Sequence, residues 1–340
     1  MNNGNDNRVL ITGATGFVGT HLRKYLLHYT DWVIYGTSFP DPPPESGLSS
    51  REIFIQLDLR NQQKTQAYVA DVNPAFIIHL AAQSHVPTAY KDPWGTLQNN
   101  IQGQLNLLEA CVKLGIKPRT LIIGSSEEYG RANTDDLPLT EDHPLRPENP
   151  YSVSKVAQDM LGYQYFRSYD LPIIRLRPFN HIGPGQSSHF VLPAFASQIA
   201  RIEAQQVEPV IRVGNLTPAR DFTDVRDVVR AYHLALLNGK SGEVYNIASG
   251  RAYSMQYLVD QLLSHTDRMI EVAVDSSRFR PADTPIVYGS AAYLKQHTGW
   301  VPEITIESTI FDVLNEWRSI VFQEKAKIRI GEIDGGHAHG

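Results

Sequence analysis

Through the first half of the chain, short continuous apolar runs alternate with longer stretches of helical spacing. Residues 8–12 (RVLIT), 32–35 (WVIY), 53–57 (IFIQL), 75–80 (AFIIHL) and 120–123 (TLII) are such runs. After the first, Leu22, Leu26 and Leu27 mark a helical face, and residues 97–114 form a helical stretch before the last. Buried strands separated by helices predict an α/β fold with a doubly wound parallel sheet covered on both faces. Residues 41–50 are a Pro/Ser/Gly loop. Beyond about Arg175 the alternation breaks up, with Pro178, Gly183, Pro184 and Gly185 clustered. Residues 221–237 (DFTDVRDVVRAYHLALL) then read as helix and 244–248 (VYNIA) as strand. The pattern predicts a cofactor-type sheet domain from residues 1–178 and 221–250, with a smaller, discontinuous C-terminal lobe from 179–220 and 251–330. Residues 1–7 read as a frayed polar lead-in, and Gly-rich residues 331–340, with His337 and His339, as a disordered tail.

Length and charge narrow this picture only a little. The 340 residues fit one large or two ordinary domains. Lys and Arg total 31 against 36 Asp and Glu, a net charge of −5, which argues against a general binder of nucleic acid or anionic membrane. An anionic small molecule stays compatible if positive charge is gathered locally. No apolar run approaches the length that spans a bilayer, and residues 1–7 lack the features of a targeting segment. The single cysteine, Cys111, has no internal partner, so a reducing compartment, the cytoplasm, is expected. Its spacing with Leu107 and Leu108 predicts a buried, inert thiol.

Two motifs carry chemistry. Gly13-Ala14-Thr15-Gly16-Phe17-Val18-Gly19 joins the first strand to the first helix. Glycines there allow a tight turn and close approach of a pyrophosphate, and the helix start supplies free N–H groups and a positive dipole end. A turn that merely packs helix on strand is the bland alternative; the position directly after the first strand favours a dinucleotide site. The acid that reads a ribose diol should lie near residues 35–39 (YGTSF), and neither an acid nor an arginine is there. Thr37 and Ser38 are left to hydrogen-bond either cofactor, so NADP(H) is favoured with NAD(H) open. The second motif is Tyr151-Ser152-Val153-Ser154-Lys155, whose ends share a helical face. A neighbouring ammonium is expected to lower the phenol pKa and make Tyr151 an acid/base near neutrality. Such a pair arises easily by chance, but this one follows a strand ending in Gly124-Ser125-Ser126-Glu127-Glu128-Tyr129-Gly130, where open α/β sheets bind ligands.

With His79-Leu80-Ala81-Ala82 at another strand end, these motifs resemble, in order and over most of the chain, the Rossmann-type extended short-chain dehydrogenase/reductases acting on nucleotide-sugars. The resemblance implies that Ser125 polarises a sugar oxygen, Tyr151 exchanges its proton and Lys155 also holds the nicotinamide ribose. It places Asp58 and Leu59 beside the adenine, Leu80, Ala81 and Ala82 along the cofactor, and Asn100 as a brace. Ser84 and His85, in the segment 82–86 (AQSHV), and Ser126 and Glu127, in SSEEYG, are similar to GDP-mannose 4,6-dehydratases and their reductase relatives. Residues 177–186 (RPFNHIGPGQ) look most like the GDP-4-keto-6-deoxy-D-mannose reductases, which make GDP-D-rhamnose. The dehydratases carry an arginine pair in the loop where this chain has Gly183-Pro184-Gly185.

For a GDP-sugar, Asn180 is expected to read a sugar or phosphate oxygen, and Arg220 and Arg280 to grip the pyrophosphate in bidentate fashion. Arg212 resembles a nucleotide-facing position, and Asp283 is an acceptor for ribose hydroxyls. The resemblance makes Glu127 double-edged: in dehydratases the glutamate at that place removes the sugar C5 proton, whereas here it also fits a carboxylate that orients the loop. His85, His181 and His189 have no metal-ligand spacing, so no metal is expected and substrate contact or polar packing is the better reading. The expected activity is NAD(P)H-dependent reduction of a C4 ketone. A 4,6-dehydratase, a 4-epimerase and a non-catalytic dinucleotide sensor are the rivals. Helices at 97–114 and 151–165 resemble those that pair across the family's homodimer in a four-helix contact.

Overall fold

The computed structural model describes residues 7–39, 47–278 and 284–335. Its first half follows the βα alternation: β1 (Arg8–Thr12), α1 (Phe17–Tyr29), β2 (Val33–Ser38), β3 (Glu52–Gln56), α2 (Gln62–Val72) and β4 (Phe76–His79). Short helices α3 (Val86–Lys91) and α4 (Pro93–Leu97) then lead through a π-helical turn, Gln98–Gln102, into α5 (Gly103–Leu114). After it come β5 (Arg119–Ile123), the 20-residue α6 (Pro150–Tyr169) and β6 (Ile173–Pro178).

The remainder interleaves two lobes. It runs β7 (Asn180–Ile182), α7 (Val191–Glu203), β8 (Val210–Val213), β9 (Ala219–Asp224), α8 (Val225–Asn238) and β10 (Val244–Ile247). Then follow β11 (Ala252–Ser254), α9 (Met255–Leu263), β12 (Glu271–Val274), β13 (Ile286–Val287), α10 (Ala292–Thr298) and α11 (Ile306–Gly335).

Seven parallel strands form one sheet in the order β10-β6-β5-β4-β1-β2-β3, so the fold is the doubly wound parallel sheet expected. Alternation along β1 shows both faces are covered. Val9 and Ile11 pack towards α1 and α8, whereas Leu10 packs with residues of α2, α5 and α6. A separate core of Ile182, Leu192, Phe195, Leu258, Ile310 and Leu314 holds the smaller lobe. There β9 pairs with β7, β11 and β13, and β8 with β12.

Two expectations need correction. Residues 221–224, expected to open a helix, are the end of strand β9 in the smaller lobe. Asp224 is the N-cap of α8, its carboxylate accepting the Arg226 N–H at 2.7 Å, so the helix begins only at Val225. Residues 331–335, expected in an irregular tail, continue α11, and residues 336–340 lie outside the described residues.

Candidate active site

Strand register gathers the site. Thr12 is level with Thr37 on one side and His79 on the other, His79 with Ile122, and Ser38 with Gln56. The segments leaving these strands, which carry Gly13, Phe39, Asp58, Leu80 and Ser125, therefore emerge along one edge, the carboxyl edge where such sheets bind ligands.

The glycine turn is shaped for close approach. Gly13 sits at φ +67°, and a Cβ there would come 2.9 Å from the Ala81 nitrogen. A Cβ on Gly19 would lie 2.5 Å from the Gly13 carbonyl oxygen. Gly16, at φ −69°, needs no left-handed freedom; it is the N-cap of α1 and has no side-chain cap, which leaves amides of the first turn for an anion. Thr15 and Gly16 are exposed, while Phe17 and Val18 are half-buried. The Ala14 N–H donates to the Thr37 carbonyl at 3.0 Å, tying the turn to β2, and Ser38 is buried beside it. A side chain at Gly13 or Gly19 would occupy backbone already there, so these glycines let the turn pack tightly, and it is the uncapped, exposed start of α1 that fits a dinucleotide phosphate.

Asp58 is less available than expected. Arg60 donates to its two carboxylate oxygens at 2.9 and 2.7 Å, and this hydrogen bonding holds the acid below the usual carboxylate range. The guanidinium lies 5.9 Å over the ring of Phe39, which follows β2. A cation that sequence reading did not find after β2 thus arrives from the segment after β3. Leu59 is buried, and its carbonyl accepts from Asn106 at 2.8 Å. Leu80, Ala81 and Ala82 are half-buried at the end of β4. Thr12 Oγ1 accepts the Ala81 N–H at 3.2 Å and meets His79 Nδ1 at 2.8 Å. Burial takes that histidine down to about 3, so it is neutral.

Ser125 and Tyr151 come together from different elements. Ser125 caps the 3₁₀ turn Ser126–Tyr129 through the Glu127 N–H, 3.2 Å from its hydroxyl. Tyr151 opens α6, whose N-cap Asn149 accepts from Ser152 at 2.8 Å with Pro150 at the first helical position. Lys155, one turn on, donates to the Ile123 carbonyl at 2.7 Å and so ties α6 to the end of β5. Asn100 braces the same helix through Ser154 at 2.9 Å and binds Gln83 in both directions.

The electrostatics differ from the expectation. Burial raises the Tyr151 phenol well above its ordinary value; a hydrogen bond with Ser125 offsets part of this, and Glu127 and Glu128 add to it. The Lys155 nitrogen is 5.9 Å from the tyrosine ring, and burial brings the ammonium down to about 8. In this arrangement desolvation outweighs the lysine, and the protein holds Tyr151 as a proton donor.

Known proteins match the chain over nearly its whole length. Residues 10–313 fit the family model described as GDP-mannose 4,6 dehydratase. The chain belongs to this family. GDP-6-deoxy-D-mannose reductase of Pseudomonas aeruginosa is 37% identical over 318 residues, 93% of this chain and 99% of that protein. The structure described as RMD from Pseudomonas aeruginosa complexed with NADPH superposes with a TM-score of 0.82 at 37% identity, over 92% of this chain and 99% of that one. UDP-glucose 4-epimerase of Thermus thermophilus, in complex with NAD, gives 0.80 at 26% identity over 92% and 99%.

Within the family frame, Glu127 is exposed, and its carboxylate accepts from the Asn149 side chain at 3.1 Å, beside the tyrosine's helix start. Ser126 is half-buried and Ser84 exposed. The His85 ring lies 5.8 Å from that of His189, while His181 stacks on Phe17 at 6.2 Å. Among the described residues no group of three ligands suits a metal. Asn180 is exposed on β7. Arg220 on β9 donates to the Thr284 carbonyl at 2.7 Å, and exposed Arg212 stands on β8 in a different sheet. Arg280 and Asp283 lie outside the described residues. Sequence reading missed Arg60, Asn149 and Glu128. Of these only Asn149 left a signal, an Asn-Pro step before a helical run.

Proposed function

We propose that this chain reduces the C4 ketone of GDP-4-keto-6-deoxy-D-mannose to give GDP-D-rhamnose, using NADPH. The observation that carries the reading is near-full-length similarity to a GDP-6-deoxy-D-mannose reductase, in a chain that retains the Ser125, Tyr151 and Lys155 arrangement. Gly13, Thr15, Gly16, Phe17, Val18 and Gly19 would hold the pyrophosphate. Thr37, Ser38, Asp58 and Leu59 would line the adenosine end, and Leu80, Ala81, Ala82 and Asn100 the approach to the nicotinamide. A bound NADPH supplies the hydride.

Tyr151, kept protonated by its burial, gives its proton to the sugar O4 as negative charge develops there. The Ser125 hydroxyl donates to the same oxygen. Lys155 keeps a cation behind the phenol and the ribose, fixed by its bond to Ile123. Asn180, Arg212, Arg220, Arg280 and Asp283 are proposed for the GDP moiety, with Ser84, His85 and Ser126 near the sugar. Arg60 supports the preference for the phosphorylated cofactor, since it sets a guanidinium beside Phe39 at the β2 end. Supplying the keto-sugar and NADPH should consume both in equal amounts; failure of the wild-type protein to oxidise NADPH with this substrate would sink the reading.

A second reading, the 4,6-dehydratase, is favoured by one observation. Glu127 is exposed beside Tyr151 with its carboxylate oriented by Asn149, as a base would require. GDP-mannose given without added NADPH separates the two, because only a dehydratase would accumulate the 4-keto sugar.

A further inference from the structure

Beneath Ser125 lies a charged cluster that the proposed chemistry does not use. Glu128 is fully buried, and its Oε1 accepts the Ser125 N–H at 2.7 Å. Its Oε2 stands 3.1 Å from Arg177 Nε without a hydrogen bond, because that N–H donates to Asp159 Oδ2 at 2.8 Å. Arg175 is ion-paired to the other Asp159 oxygen. Arg177 further donates to the Tyr129 hydroxyl and the Glu141 carbonyl, both at 3.2 Å. The backbone makes room for this. A Cβ on Gly124 would fall 2.2 Å from Glu128 Oε1, so the residue before the serine must be as small as it is.

The cluster has a direction. Glu128 follows β5, Arg177 is on β6, and Asp159 is on α6. Tyr151, Lys155 and Asp159 are spaced four apart on that helix and share one face. The chain Ser125–Glu128–Arg177–Asp159 therefore connects the serine's turn to the helix that carries the tyrosine. A capping carboxylate at a short turn does its local work equally well in water. Burying it against Arg177 and the arginine-paired Asp159 is costly and leaves one oxygen without a donor. Burial and the Asp159 charge both raise the Glu128 acid, against the pull of Arg177.

We propose that Glu128 is a positioning residue for the reduction: clamped by Arg177, it fixes the Ser125 turn so that the serine hydroxyl meets both Tyr151 and the substrate oxygen. This rests on the reading of Ser125 as the group that polarises the sugar oxygen.

A double-mutant cycle tests it. Glu128→Leu should lower kcat about 100-fold, the scale of a misplaced catalytic group, with KM for the keto-sugar within about twofold of wild type. Glu128→Gln, which keeps an acceptor for the Ser125 N–H, should recover most of that loss. In a Ser125→Ala background the same Glu128 substitutions should change kcat by no more than about twofold, because no hydroxyl remains to be placed. An equal loss in both backgrounds would reduce Glu128 to a structural residue and overturn the proposal. If Glu128→Leu does not fold, Arg177→Lys, which keeps a buried cation but loses the planar clamp on Glu128 and Asp159, takes its place in the cycle. It should lower kcat about 10-fold with Ser125 present and by no more than about twofold in Ser125→Ala, and an equal loss in both would overturn the proposal. Crystal structures separate failure of the substrate reading from failure of the proposal. Even for a protein inactive on this sugar, a Ser125 hydroxyl that keeps its wild-type position in Glu128→Leu refutes the positioning role, and a displaced one supports it.

Discussion

Tyr151 and Lys155 are moved in opposite senses by the same cause, exclusion of water, which keeps the phenol protonated and makes the ammonium easier to discharge. Tyr151→Phe removes the proton and leaves the ring, so kcat should fall by about 10²–10⁴-fold with NADPH binding nearly unchanged, measured by steady-state assay and by titration. His79 gives a stability test. Its folded pKa of about 3 lies below the unfolded value of 6.5, so the unfolded chain binds an extra proton between these values and stability is lost as pH falls through that window. From pH 6.5 to 4.5 this one group should cost about 2–3 kcal/mol. His79→Gln should be less stable at neutral pH yet show a shallower acid loss, read from denaturant midpoints at each pH; an identical slope would remove His79 from the account. Ser125, Tyr151 and Lys155 were legible in sequence because their spacing and strand-end placement carry the chemistry. Glu128 was not. Adjacent Glu127 and Glu128 read alike along the chain, and only the turn sends one outwards to Asn149 and the other inwards to Arg177.

Among the elements, six of the seven parallel strands were readable because each is short, apolar and bounded by turn residues. Strand β6 was not, because Arg175 and Arg177 interrupt its apolar run and are buried there only through their ion pairs with Asp159. Strand β9 was misread for an equally physical reason. Phe222, Val225, Val228, Val229 and Tyr232 keep a helical apolar spacing straight through the strand–helix boundary, and all five are buried. What ends the strand is the Asp224 cap, and what holds it is Asp221, whose carboxylate accepts from Ser249, Gly250 and Gly289. Those partners are 28 to 68 residues away in sequence, outside any local window. The same limit hid Arg60. Parallel pairing of β2 with β3 brings the segments after both strands together, so a residue following one can serve the end of the other. Arg60→Ala should weaken NADPH about tenfold, or about 1.4 kcal/mol, while leaving NADH within about twofold, followed by fluorescence titration of each cofactor. Equal weakening of both would confine Arg60 to holding Asp58.

At the scale of the whole molecule, α6 has two faces with different fates. Ser154, Gln158 and Gly162 turn inwards against the sheet. Val153, Met160 and Tyr163 are 43, 41 and 43% exposed at helical spacing on the outer side, and Trp94 on the adjoining α4 is 72% exposed. An apolar stripe of this kind, shared by two packed helices, is what a second copy would cover, and two-fold pairing would place four helices in one contact. We therefore expect a homodimer through α4 and α6. Met160 is the residue to change, because it lies two helical turns and more from Tyr151 and, at 41% exposure, leaves a carboxylate in contact with water in the monomer. Met160→Glu should shift the light-scattering mass from about twice that of the chain to about once, at micromolar concentrations, while the isolated fold keeps its circular dichroism. A dimer that survives Met160→Glu and a companion Val153→Asp would place the interface elsewhere, and the helix face would then need a different occupant. The test also bears on catalysis. Val153 lies between Tyr151 and Lys155, so pairing across this face would stiffen the first turns of the helix that holds both, and dissociation should lower kcat.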